Sequence, residues 1–207
     1  MYRPAHFRND DDAAAFRLIG DYGFATLISA ANGAPVLSQL PMIANVERCV
    51  LRGHLARGNP HAALLGGNRA TALFTGAEGY ISPNWCEDKT RVPTWNFESV
   101  EAEGETRLVT EADEVDAFLI DLSDHFESRR HDLARDVKWT IGKLPADKLV
   151  RLRAGIVAFE ITIDRLELKA KFSQNIPAAD RAGVINALSS GDESQRALGE
   201  AMRKAAP

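Results

Sequence analysis

Apolar and polar positions alternate along the first half of the chain, in short runs separated by turn residues. Phe24 to Ala30, Pro35 to Ala44, Cys49 to Leu55, Arg69 to Thr75, Tyr80 to Ser82, Trp95 to Glu103 and Glu105 to Val109 each fit a strand. Asn32-Gly33 predicts a tight hairpin turn, because both residues tolerate positive φ. Pro41 predicts an edge strand or a bulge, since proline gives no N–H to a ladder. Gly104 predicts the end of one strand and a turn into the next. Gly155 to Phe172 is the longest strand-like run. Val157, Phe159, Ile161 and Ile163 take odd positions, whereas Leu166 and Leu168 take even ones. That slip at Asp164-Arg165 predicts a bulge or bend.

Helical spacing occupies the rest. Asn9 or Asp10 can cap a helix that runs to about Asp21 with Ala13, Phe16 and Ile19 on one face. Thr110-Glu-Ala-Asp113 resembles a capping box and predicts a helix through Val115, Phe118, Leu119 and Leu122 to about Glu127. Pro145 and Pro177 each predict a helix start, and Glu193 to Lys204 a last polar helix. The fold class predicted is mainly β with flanking helices (α+β). We expect one domain over 1–176 with a helical insertion at about 110–153, and a C-terminal helical segment, 177–207, packed on it.

Composition narrows the classes. The chain has 207 residues, 45% of them apolar, and a net charge of −4. This supports a real core and argues against a generic nucleic-acid binder. No apolar run reaches a membrane span, and Met1 to Phe7 has no signal-like apolar region, so a cytoplasmic location is expected. Cys49 and Cys86 are too few for a disulfide framework or a zinc site, and each is expected to be a buried thiol. His6, His54, His61, His125 and His131 show no metal-ligand spacing, so no metal is expected. Residues 129–153 carry eight Lys and Arg against three Asp. They form a solvated face or a patch for an anionic partner. Residues 87–91 are expected to be a mobile polar loop.

Walker, GxGxxG, HExxH and CxxC patterns are absent, and no catalytic residue can be named. The chemistry gathers instead at Lys169-Ala-Lys-Phe-Ser-Gln-Asn175, where two cations, a hydroxyl and two amides follow an apolar strand. Phosphate needs cations and hydroxyl or N–H donors, and the pyrimidine edge of a flavin needs amides. Flavin mononucleotide (FMN) suits such a set. Arg57, Lys169 or Lys171 would hold its phosphate, with Asn59 or Ser173 assisting. Asn59 before Pro60 also predicts a capped helix start beside Arg57, a possible anion site. Trp85 or Trp95 would support the ring, and Gln174, Asn96 or Gln39 would bond the pyrimidine edge.

At these residues the chain resembles the PaiB family of FMN-binding negative transcriptional regulators, of the FMN-binding split-barrel superfamily. The resemblance rests on Met1-Tyr2, Pro4, His6-Phe7, Leu40-Pro41, His54-Leu-Ala-Arg-Gly-Asn-Pro60, Tyr80-Ile-Ser-Pro-Asn-Trp85 and Val92-Pro-Thr-Trp-Asn-Phe97. It continues through Glu127, Trp139, Gly155 to Glu160, Lys169 to Asn175, Asp180-Arg181 and Gly183-Val-Ile185. It implies a six-stranded, antiparallel, Greek-key-like split β-barrel with flanking helices, and a homodimer with FMN at the subunit interface. Cofactor roles then fall on His54, Arg57, Asn59, Trp95, Asn96, Lys169, Lys171, Ser173 and Gln174. Gln39, Cys86, Glu101, Glu103, Phe126 and Ile176 depart from the family pattern. The lost basic and imidazole groups predict weakly bound or lost FMN.

The resemblance implies a dimeric flavin-binding regulator, with a DNA or protein partner reached through residues 129–153. The alternative is an FMN-dependent oxidoreductase, or a haem-utilisation relative among the split-barrel flavoproteins. A dimeric structural protein without cofactor is a third reading.

Overall fold

The computed structural model describes residues 1–132 and 138–205. Its elements are β1 (Arg8–Asn9), α1 (Asp12–Tyr22), β2 (Phe24–Ala31), β3 (Ala34–Asn45), β4 (Val50–Ala56), β5 (Arg69–Ile81) and β6 (Thr94–Val109). These are followed by α2 (Ala112–Glu127), α3 (Ala146–Ala154), β7 (Ile156–Lys171), α4 (Ala178–Ser189) and α5 (Glu193–Lys204). The strands form one sheet in the order β1-β7-β4-β3-β2-β5-β6, and β7 also pairs with β6, so the order closes on itself as a barrel requires. The β1–β7, β2–β3, β3–β4 and β4–β7 pairs are antiparallel.

Two compact units share the chain. The first comprises Met1–Leu18, Phe74–Glu101 and Leu166–Pro207, and the second Ile19–Leu73 and Ala102–Arg165. The predicted slip in β7 is present: Phe159, Ile161 and Ile163 are buried, then Leu168 and Ala170. It falls where the chain passes from the second unit to the first.

In the second unit β2 and β3 make the predicted hairpin. Asn32 and Gly33 take φ of 51° and 78°, the pair of left-handed residues that a two-residue turn needs. Pro41 lies on neither an outer strand nor a pairing fault. Strand β3 pairs with β2 through Pro41 and with β4 from Met42 onward. The missing N–H thus sits at the handover between partners. Cys49 is exposed at φ 53°, because a tight turn closed by its N–H to the Val46 carbonyl (3.2 Å) delays the strand to Val50. The expectation of a buried thiol is therefore corrected here.

Two other expectations change. Strands β5 and β6 run unbroken where the sequence predicts two strands each. Gly104 is no hairpin end; it sits buried inside β6. The box at Thr110 does not form: helix α2 starts one residue later, with Glu111 at its cap and no side-chain cap bond. Asp11 rather than Asn9 or Asp10 accepts the Ala13 N–H at the start of α1 (2.9 Å).

The second unit buries Leu27, Met42, Leu51, Phe159 and Ile161, and packs Val115, Phe118 and Leu122 of α2 against Ile43, Val109 and Ala158. Glu160 lies among these strands at 3% exposure. Arg48 grips both its oxygens at 3.0 Å, and Arg107 adds a third bond at 2.8 Å. Glu160→Ala should cost about 2 kcal/mol, because two half-exposed arginines lose a charge-assisted acceptor but can turn to water. Urea unfolding should show a lower midpoint at unchanged slope. A loss under ~0.5 kcal/mol, the range of an ordinary surface change, would show that the clamp adds nothing.

In the first unit, Val184, Leu188, Leu198 and Met202 of α4 and α5 pack on Ala77, Ile81, Cys86, Ala170 and Phe172. Asp192 and Gln195 form a capping box at α5, which fixes where that helix begins.

Candidate functional site

The end of β7 sets the site. Alternation buries Leu168, Ala170 and Phe172 and turns Lys169 and Lys171 to the other face. The strand stops at Lys171, and two residues on, Ser173 adopts φ 59°. Gln174 closes that turn: its Oε1 accepts the Phe172 N–H (2.7 Å) and its Nε2 donates to the Ala170 carbonyl (2.6 Å). Both ends of this amide are therefore taken up locally.

Ser173 faces inward at 5% exposure, and its Oγ accepts from Asn96 Nδ2 at 2.8 Å. Asn96 is fully buried in β6, and its Oδ1 has no partner among the described residues. Lys171 donates to Thr94 Oγ1 and to the Trp95 carbonyl (2.6 Å). Burial, and then the charge of Lys169, hold the Lys171 ammonium below the usual lysine range. Lys171, Ser173, Asn96 and Thr94 line one cavity of about 250 Å³. Ile81, Pro83, Cys86, Val92 and Ile176 supply its apolar wall. Burial, and then Asp180, raise the Cys86 thiol above its usual value, which leaves it a poor nucleophile.

The other residues of the first unit lie off this wall. The Trp95 ring is 47% exposed, edge-on to Tyr80 at 6.4 Å, with Nε1 donating to Glu78 at 3.3 Å. Lys169 sits over the Phe97 ring at 5.1 Å and the Tyr2 ring at 5.8 Å. Trp85 packs against the α4 and α5 cluster.

Three further expected residues belong to the second unit. The Arg57 guanidinium donates to the carbonyls of Ala154 and Ile156, both at 2.6 Å, and so ties the end of α3 to β4. It lines a separate cleft of that unit, with Arg153, Val115 and Ile156. Asn59 caps the short 3-10 turn Pro60–Leu64 as predicted, through the His61 N–H, and its Nδ2 donates to Ser38 Oγ at 3.0 Å. Its own side chain thereby fills the place of an anion. His54 lies edge-on to Phe118 at 6.0 Å, with a buried Nδ1 that has no partner among the described residues, and burial lowers its pKa. Gln39 is exposed on β3.

Comparison with known proteins decides the family. Residues 1–165 match the family described as "Putative FMN-binding domain". The chain belongs to this FMN-binding domain family. Protease synthase and sporulation protein PAI 2 of Bacillus subtilis is 28% identical over 191 residues, covering 91% of this chain and 89% of that protein. Among solved structures, an FAD- and haem-binding protein from Mycobacterium smegmatis superposes with a TM-score of 0.61 at 18% identity. The match covers 89% of this chain and 80% of that one. A flavocytochrome from Azotobacter vinelandii gives 0.61 at 13% identity, over 82% and 72%. These likenesses establish the split-barrel fold.

The residues of the first-unit cavity fit part of a flavin nucleotide. An ammonium and two hydroxyls suit a phosphate, and an orphaned amide oxygen suits a hydroxyl of the ligand. About 250 Å³ is below the ~300 Å³ at which pockets usually enclose a whole small ligand, so the cavity takes one end of the molecule.

Sequence reasoning missed Arg91 and Asp180. Residues 87–91, expected to be mobile, are anchored: Asp180 accepts from the N–H groups of Glu87 (2.7 Å) and Asp88 (3.2 Å) and from Arg91 Nε (2.5 Å). Burial alone would raise the Asp180 pKa; Arg91 and the two N–H donors outweigh it and hold the carboxyl below its usual range. The available signal was Asp180-Arg181 in the family pattern, which carries no hint of a partner 89 positions away.

Proposed function

We propose that this protein is a PaiB-type FMN-binding regulator that acts as a homodimer in the cytoplasm. The observation that carries the flavin part is the buried Asn96 amide beside Lys171, Ser173 and Thr94 in one cavity. Lys171 and Ser173 would hold the phosphate end and Asn96 would accept from a ribityl hydroxyl, with the ring lying outside this cavity. His54, Arg57, Asn59, Trp95, Lys169 and Gln174 remain proposed cofactor contacts by resemblance, with Arg57, Asn59 and Gln174 already engaged in local hydrogen bonds. When bound, the flavin supplies a redox-active, flat ring; the chain's residues bind and orient it.

The regulatory part rests on differential binding: FMN would bias the dimer toward the form that meets its partner. Residues 129–153 are the surface proposed for DNA or protein. Arg129, Arg130, Lys138, Arg151 and Arg153 are each paired with a carboxylate, so an anionic partner would have to displace Asp or Glu contacts. Arg135 lies outside the described residues. Lys171, Arg91 and Cys86 are the ionisable side chains on the cavity wall, and no carboxylate or imidazole lines it among the described residues, which favours binding over catalysis.

Desalting after FMN addition is the test. Retained absorbance near about 450 nm, the flavin band, is expected, together with a dimer mass and no steady NADPH oxidation. Loss of all flavin on desalting and no binding by titration would overturn the cofactor reading; sustained NADPH turnover would replace the regulator with an oxidoreductase.

A further inference from the structure

Asp180 is 2% exposed, and the three hydrogen bonds it accepts all come from one short segment. Two backbone N–H groups and Arg91 Nε converge on it. The same segment is tied again by Lys89, which donates to the carbonyls of Asn84 (2.7 Å) and Cys86 (2.5 Å), and by Thr90, whose hydroxyl donates to Asp88 Oδ1 (2.6 Å). The result fixes the position of one guanidinium. Arg91 lines the same cavity as Lys171, and only its Nε edge is taken; its Nη nitrogens have no partner among the described residues. A guanidinium held by one edge presents the other as a rigid two-donor fork, the shape that matches two oxygens of a phosphate. The orphaned Asn96 Oδ1 in the same wall asks for an O–H donor. Together they describe a ligand carrying both a phosphate monoester and hydroxyl groups.

We infer that Arg91, braced by Asp180, is a second cationic contact of this cavity and makes it select phosphate monoesters over the corresponding uncharged alcohol. The inference deepens the flavin reading of this cavity and rests on it for the identity of the ligand, but not for the phosphate contact itself. Asp180 acts through Arg91 and is a positioning residue. FMN and riboflavin share their ring and ribityl chain and differ in the phosphate, so their affinity ratio isolates the contact.

The test measures FMN and riboflavin affinity by flavin fluorescence, and melting with and without inorganic phosphate, for the wild-type chain, R91Q and R91K. R91Q should weaken FMN by about 10- to 100-fold, the value of one or two charge-assisted hydrogen bonds, and leave riboflavin unchanged. R91K should recover part of the loss, because it restores charge without the fork. Inorganic phosphate should raise the melting temperature of the wild type clearly more than that of R91Q, which keeps Lys171 and Ser173. Equal weakening of FMN and riboflavin in R91Q would overturn the inference, since Arg91 would then only hold the loop. So would a wild type that binds both flavins equally well, which leaves the flavin reading intact. A wild type that binds no flavin but is stabilised by phosphate through Arg91 supports the phosphate contact while removing the flavin. Absence of both overturns both.

Discussion

Alanine at Gly104 is expected to cost roughly 4 kcal/mol or more, at the upper end of single-residue effects. The glycine lies buried inside β6, and a Cβ built there would fall 1.7 Å from the carbonyl oxygen of Thr162 and 2.7 Å from its carbon. Both obstacles are backbone atoms, so no rotamer change relieves the clash. Nor can the strand withdraw cheaply, because Thr162 is already in register with Val50 of β4. The alanine must either separate β6 from β7 locally or shift β7 against β4, and each breaks ladder hydrogen bonds. Gly58→Ala is the control: nothing lies within 4 Å of its Cβ. Its change should be small. Thermal and urea unfolding of the two variants give the comparison. A Gly104→Ala chain within ~1 kcal/mol of wild type, the typical cost of a point mutation, would mean that the two strands do not approach as described.

Gly104 also marks where sequence patterning stops informing. Glycine between two alternating runs reads as a turn, and Glu103 and Glu105 on either side read as its solvated shoulders. Inside the fold the same glycine is needed because another backbone passes close by, a fact held in residue 162 and not in its neighbours. Features that depend on adjacent residues were legible: the Asn32-Gly33 turn, the Asn59-Pro60 cap, and the phase slip in β7. The site divides the same way. The end of β7 could be located from its polar cluster, and Lys171, Ser173 and Asn96 do share one cavity wall. The local fate of Gln174, folded onto its own strand, could not be told from a free amide by composition. Arg91 looked like part of a solvated charge run because its partner Asp180 lies in another element.

Lys171→Met should weaken FMN by about 10- to 100-fold, and should remove the pH dependence of binding with it. Methionine keeps an unbranched stem of similar reach, so the lost quantity is the ammonium and its hydrogen bonds, about 1.5–3 kcal/mol for a charged donor, at about 1.4 kcal/mol per tenfold. The pH argument follows from the direction of the shift. The folded-state pKa lies below the ordinary lysine value of 10.5, chiefly through burial and then through Lys169. Phosphate binding requires the charged form, so FMN affinity should fall as pH rises through that lowered pKa, before an ordinary lysine would titrate. The phosphate is already a dianion above about pH 7 and adds no slope there. Stability of the flavin-free protein should move the opposite way. Between the folded pKa and 10.5 the unfolded chain binds more protons at this position, so stability rises with pH. Fluorescence titrations from about pH 7 to about pH 10, with riboflavin as the control that subtracts titration of the ring, should show a falling FMN affinity in the wild type and a flat one in K171M. A wild-type affinity for FMN that stays level across that range, or a slope that survives in K171M, would remove Lys171 from the phosphate contact.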